Sequence, residues 1–237
     1  MNKFILLTAT ASFSLVTLFA TMQDAGAAGL VVGHDINTLG SFVAGSQEET
    51  FAVNLTNFLT TGSSGKNLLL YESNPGDGSR NFSPGVLEAL TNAGFSVTVT
   101  PDYTTSFSDF DAIFVARDFP SGNFLNHTDL INFVDSGGGV YLAGGVGVGG
   151  ASSTPAEAAG WNTFLNNYGL DFELSDWNYF FNVPITSSHP IFAGITSLNS
   201  GIGQSIINLG TNPNAENARI LEYGSHLFLS PAITAWT

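Results

Sequence analysis

Between Asn67 and Tyr168, short apolar runs alternate with helical stretches closed by glycine, and this rhythm leaves few architectures open. Asn67–Glu72 (NLLLYE), Asp111–Ala116 (DAIFVA) and Gly139–Ala143 (GVYLA) are continuous apolar runs, as expected of strands buried on both faces. Phe95–Thr100 (FSVTVT) is β-branched and alternating. Ser83 and Pro84 open a helix that Gly94 stops, Asp129–Ser136 is a helix stopped by Gly137, and Thr154 caps a helix over Pro155–Tyr168 that ends at Gly169. Strands alternating with helices predict βαβ units, hence a single α/β domain with a mainly parallel sheet flanked by helices.

The flanks are read less firmly. Residues 29–44 read as irregular, and Gln47–Leu59 as a helix presenting Phe51, Leu55, Phe58 and Leu59. The expected organisation is a leader over 1–27, an N-terminal helical segment over 28–65 and the α/β domain over 66–237. Ser205–Leu209, Ala218–Tyr223 and Ala232–Trp236 read as short strands forming a mixed edge of the same sheet.

The leader has the parts of a secretory signal peptide: Lys3, an apolar stretch from Phe4 to Ala20, and Ala25-Gly26-Ala27 as a cleavage site. Its apolar run is short and diluted by hydroxyls compared with the roughly 20 residues of a membrane span. The expectation is a bacterial protein, secreted or periplasmic, with no stable membrane insertion after cleavage. Cleavage removes Lys3 and Asp24 together, so the net charge of −14 persists. That acidity argues against nucleic acid as a partner. The absence of cysteine removes disulfides, thiolate metal sites and cysteine nucleophiles.

In open α/β sheets, ligands lie outside the carboxyl ends of the strands. The expected pocket therefore draws on Glu72, Asn74, Asp77, Arg80, Arg117, Asp118, Gly144 and Gly145. No catalytic residue is assigned, and no metal or cofactor is expected. The four histidines, His34, His127, His189 and His226, lack zinc-ligand spacing; His189 reads as shaping a turn with Pro190. Asp35 with Asn37 supplies hard oxygens of the kind calcium takes, but such residues in turns usually cap their own backbone. Gly145, Gly147 and Gly150 spell G-x-G-x-x-G, but on the fourth strand of an acidic, exported chain dinucleotide binding is not expected. Trp161, Phe164 and Tyr168 sit at helical spacing as core residues. Trp177–Phe181 (WNYFF) reads as a sheet edge or cover that could stack on sugars if exposed.

Gly137–Gly150 (GGGVYLAGGVGVGG) and Ser188–Ile195 (SHPIFAGI), in this order of strands and helices, resemble the class I glutamine amidotransferase-like superfamily over about residues 66–198. The resemblance implies a flavodoxin-like fold in which the turn after the GVYLA strand is a nucleophile elbow. The matching position is Gly144 or Gly145, so amidotransferase or cysteine-hydrolase chemistry is excluded, and no G-x-S-x-G replaces it. Asp35–Leu39, Gln47–Asn54, VYLAGG and Trp161–Leu165 further resemble a group of bacterial exported proteins, many bearing a PEP-CTERM sorting tail. The sequence shows no such tail up to Thr237, so sorting by that route is not expected, and this likeness implies no activity. The expected function is a non-catalytic binding or scaffold protein of a bacterial surface or matrix, with a glycan or a surface or matrix protein as partner. The alternative is a carboxylate-dependent hydrolase acting on an extracellular glycan or small anionic substrate, through Glu72, Asp77 and Asp118.

Overall fold

The computed structural model describes residues 29–40, 44–61, 63, 65–72, 82–102, 105–116, 125–145, 154–210, 215–217, 221–223 and 226–234; of 116, 176–181 and everything from 215 onward it describes the backbone alone. The strands are β1 (Leu30–Gly33), β2 (Asn67–Glu72), β3 (Ser96–Thr100), β4 (Ala112–Ala116), β5 (Gly139–Ala143), β6 (Leu170–Pro184), β7 (Ser197–Asn208), β8 (Ala215–Asn217), β9 (Leu221–Tyr223) and β10 (His226–Thr234). The helices are α1 (Ser46–Leu59), α2 (Pro84–Asn92), α3 (His127–Asp135) and α4 (Thr154–Leu165).

The sheet runs β3-β2-β4-β5-β1-β10-β8, with β9 also paired to β10. Its first five strands are parallel; β10 is antiparallel to β1, and β8 to β10. This is the mainly parallel α/β sheet that the alternation predicts, in the flavodoxin-like arrangement that the resemblance implies.

Alternate residues of each strand serve opposite faces. Leu68 and Leu70 pack with Phe51, Leu55 and Leu59 of α1 and with Val86 and Leu90 of α2. Leu69 and Tyr71 face the other way, toward Leu130 and Val134 of α3 and Trp161 and Phe164 of α4. Handedness accounts for this split. The chain moves one way across the sheet through α1 and α2 and the other way through α3, so a single crossover hand puts them on opposite faces. Trp161, Phe164 and Tyr168 are core residues as expected.

Several readings are corrected. The stretch read as irregular over 29–44 contains a strand: Leu30–Gly33 lies between β5 and β10, and its residues are buried. A four-residue apolar run suffices for a strand covered on both faces, and it carries no alternation to reveal it. The sheet thus crosses the boundary expected at 65/66. Helix α3 starts at His127, before the expected Asp129, because the Asn126 side chain accepts from Thr128 N (3.0 Å) and Asp129 N (3.4 Å). Thr154 opens α4 from within rather than capping it, and Ser83 makes no side-chain cap bond. Ser205–Leu209 does not join the main sheet. Most of it lies in β7, which forms a separate antiparallel ribbon with β6. Register shifts at Phe172/Asp176 and Asn178/Phe181 break the period of two in β6. The side chains of the WNYFF segment lie outside the described residues.

Leu30 is fully buried. Leu30→Ala is therefore expected to lower unfolding free energy by about 2–5 kcal/mol. Denaturant titration checks this; a loss within about 0.5 kcal/mol, the level of a surface change, would show that β1 is dispensable.

Candidate functional site

At the carboxyl edge, two pairs of neighbouring parallel strands send the chain to opposite faces of the sheet. The chain leaves β2 toward α2 on one face and β4 toward α3 on the other; it leaves β1 toward α1 and β5 toward α4 in the same divergent way. Divergence of this kind is what makes room for a ligand.

The β1/β5 crevice is closed. His34 and Asp35 follow β1, Gly144 and Gly145 follow β5, and the β6–β7 ribbon lies across them. Gly144 N donates to Gly33 O (2.8 Å) and Ile36 N to Gly144 O (2.8 Å), so both backbone groups of Gly144 are engaged. A Cβ at Gly144 would sit 3.0 Å from Phe172 Cε1 of β6, 3.1 Å from Gln204 Oε1 of β7 and 3.1 Å from His34 O. The space in which a side chain at this position would project is taken.

Bonds from the first third of the chain hold the ribbon there. Gln204 N donates to His34 O (2.9 Å), and the His34 ring bonds Gln204 O through Nδ1 (3.0 Å). A carbonyl only accepts, so Nδ1 carries the proton. The Asp35 carboxylate accepts from Asn37 N and Asn37 Nδ2 (both 2.8 Å) and from Gly201 N. Asp35 thus caps the 3-10 turn Ile36–Leu39, the backbone role that competed with calcium binding in the sequence. Gln204 Nε2 donates to Thr154 O at the start of α4 (3.1 Å), while Gln204 Oε1 has no hydrogen-bond partner among the described residues. Burial, and then the nearby Asp35 carboxylate, raise the Tyr141 hydroxyl above its ordinary range, so it stays protonated.

The β2/β4 crevice holds Glu72, 5% exposed. Its Oε1 accepts from Phe82 N (2.8 Å), which ties the end of β2 to the entrance of α2. The same entrance meets the turn after β1, through a bridge between Gly40 and Phe82 and a bond from Ser83 N to Leu39 O (2.9 Å). Burial raises the Glu72 carboxyl above its ordinary value, and the Phe82 amide partly offsets that.

Of the eight expected pocket residues, Glu72, Gly144 and Gly145 are placed, with β4 lying between the first and the other two. Asn74, Asp77, Arg80, Arg117 and Asp118 lie outside the described residues, as do Gly147 and Gly150. His189 accepts from Ile191 N through Nδ1 (3.4 Å) and caps the turn Pro190–Phe192, the role its neighbour Pro190 suggests. The sequence reading missed His34, Phe172 and Gln204 as the neighbours of Gly144. The signal within reach was the apolar run before His34, which marks that residue as the end of a strand. Comparison with protein-family models, with curated proteins and with solved structures gives no match to this chain.

Two outcomes follow from this geometry. A Cβ at Gly203 would meet His34 O at 2.0 Å and His34 C at 2.8 Å, both backbone atoms. Gly203→Ala is expected to destabilise at or above the top of the roughly 1–3 kcal/mol range of over-packing, read by thermal or denaturant unfolding. The raised Glu72 carboxyl gives a pH dependence with a fixed sign. Between the ordinary value of 4.5 and the higher folded value, the native state holds more protons than the unfolded one, so stability falls as pH rises through that window. Glu72→Gln is expected to remove this slope, seen as a stability difference from wild type that grows in favour of the variant from pH 4.5 upward. A difference independent of pH would contradict the desolvation of Glu72.

Proposed function

We propose that this chain is an exported, non-catalytic binding or scaffold protein of a bacterial surface or matrix, built on a degenerate amidotransferase-like sheet. The observation that carries this reading is the filled position at Gly144. In the resembling superfamily a nucleophile stands at this turn; here a glycine stands there, its backbone is fully bonded, and Phe172 and Gln204 occupy the space above it. The Asp35 carboxylate beside it is committed to backbone amides, and so is Glu72 Oε1 in the other crevice.

Ligand capture falls to the β2/β4 crevice, where Glu72 stands at the strand end and the loops bearing Arg80, Arg117 and Asp118 follow in the sequence. The partner class is an extracellular glycan or a surface or matrix protein, because a chain of net charge −14 repels polyanions.

The test pairs an array of bacterial extracellular polysaccharides with a panel of chromogenic glycoside, ester and amide substrates. Binding to a polysaccharide that weakens about tenfold or more in Arg117→Ala, with no turnover on the panel, is the expected result. A turnover that disappears in Glu72→Gln, together with a blank array, would overturn it.

A further inference from the structure

We propose that two copies of this chain pair through the open edge of β3, antiparallel and about a two-fold axis through Thr98. Strand β3 ends the sheet: it is bonded to β2 on one side, and among the described residues no strand covers the other. Ser96 N donates to Lys66 O (2.8 Å), which turns the amide and carbonyl of Ser96, and by alternation those of Thr98, toward β2. The N–H and C=O of Val97 and Val99 therefore face the open side.

Natural edges are guarded by lysine, proline, bulges or covering elements. Within β3, and among the described residues, none of them stands: Ser96–Thr100 is SVTVT, uncharged, with Pro101 only after its last residue, and its pairing with β2 runs without a register shift. Val99 is 41% exposed.

The strand is also complementary to itself. Centred on Thr98, antiparallel pairing sets Val97 opposite Val99 of the second copy and Thr98 opposite its own copy. The Val97–Val99 pairs then exchange both of their N–H···O=C bonds, and the Thr98 pair falls at the non-bonded, closer position. An axis normal to the sheet keeps equivalent faces on the same side, so valine meets valine and threonine meets threonine, pairs that favour strand association.

Charge fits the same register. Lys66 is the only lysine or arginine among the described residues; its ammonium lies 3.6 Å from the Cβ position of Gly94 and 5.4 Å from the centre of the Phe95 ring. The two-fold register sets Gly94 opposite exposed Asp102 of the second copy, so each end of the paired strands joins a cation to an anion. In a chain of net charge −14, which otherwise repels itself, this places attraction at one contact. An isologous contact of this kind closes at the dimer.

The chain has no cysteine, so single substitutions give single thiols. A non-bonded antiparallel pair has its Cα atoms about 4.5 Å apart, within disulfide range. Under mild oxidation with diamide, Thr98→Cys is expected to run mostly as a covalent dimer on a non-reducing gel. Ser96→Cys and Thr100→Cys are expected to stay monomeric alone and to cross-link when mixed, because the register sets residue 96 against 100. In sedimentation equilibrium, wild type is expected to move from monomer to dimer mass with concentration. Thr98→Lys is expected to remain monomeric, and to dimerise when mixed with Thr98→Glu. Residue 98 is exposed, so these changes leave the core untouched. A wild-type mass that stays monomeric up to about 1 mM would overturn the proposal, and so would a Thr98→Cys variant that cross-links no faster than Ser96→Cys.

Discussion

His34 bonds both backbone groups of Gln204, donating through its ring and accepting through its carbonyl, and the carboxyl edge of the sheet takes its form from that junction. It joins the residue that ends β1 to the middle of β7, far away in the chain. Gly203 has no side chain at the point where the backbones come closest, and a Cβ there would lie within bonding distance of the His34 carbonyl. The other contacts along β7 follow in step. Gln47 accepts from Thr196 N and Ser197 N, Glu48 from Asn199 N, and Asp35 from Gly201 N. Leu198 and Ile206 of β7 join the two cores, and the polar backbone between them is held by carboxylates and amides from the N-terminal third.

This stitching decides what becomes of the crevice beneath. A flavodoxin-like sheet leaves room wherever consecutive crossovers diverge. At β1 and β5 that room holds the Phe172 ring and the Gln204 amide. Gly144 is therefore a packed glycine: any Cβ there would press on Phe172, Gln204 and the His34 carbonyl at 3.0–3.1 Å. The same turn in an open sheet would tolerate a projecting side chain, so the closed crevice and the glycine at its edge belong to one arrangement.

How far the sequence discloses this depends on the range of each interaction. The strands β2, β4 and β5 and the helices between them are written in local patterns: continuous apolar runs, and glycines such as Gly94 and Gly169 in the left-handed region at helix ends. β1 is hidden because four buried residues carry no period. The β6–β7 ribbon is hidden because bulges interrupt its alternation and because it bonds to residues such as Asp35, more than 160 positions away. For the same reason Asp35 reads as a calcium ligand or a turn cap in isolation, and only the fold shows its second acceptor role toward Gly201. Glu72 was legible as a strand-end carboxylate, but its bond to Phe82 N was not, since it depends on where α2 begins.

The sheet treats its two boundaries in opposite ways. Beyond β1 the chain adds β10 antiparallel and continues to β8, so the backbone groups of β1 are used on both sides. Beyond β3 the described residues add no strand, and the edge keeps an uncharged run rich in β-branched residues. Leaving such an edge bare exposes a template for pairing, and the acidity of the surface alone cannot guard it, because the strand itself carries no charge. At β1 and β5 the carboxyl edge is filled from within the chain, while at β3 no further strand follows among the described residues. The pairing proposed at β3 runs along the plane of the sheet, away from the strand end that carries Glu72, so it does not compete with the ligand capture proposed at β2 and β4.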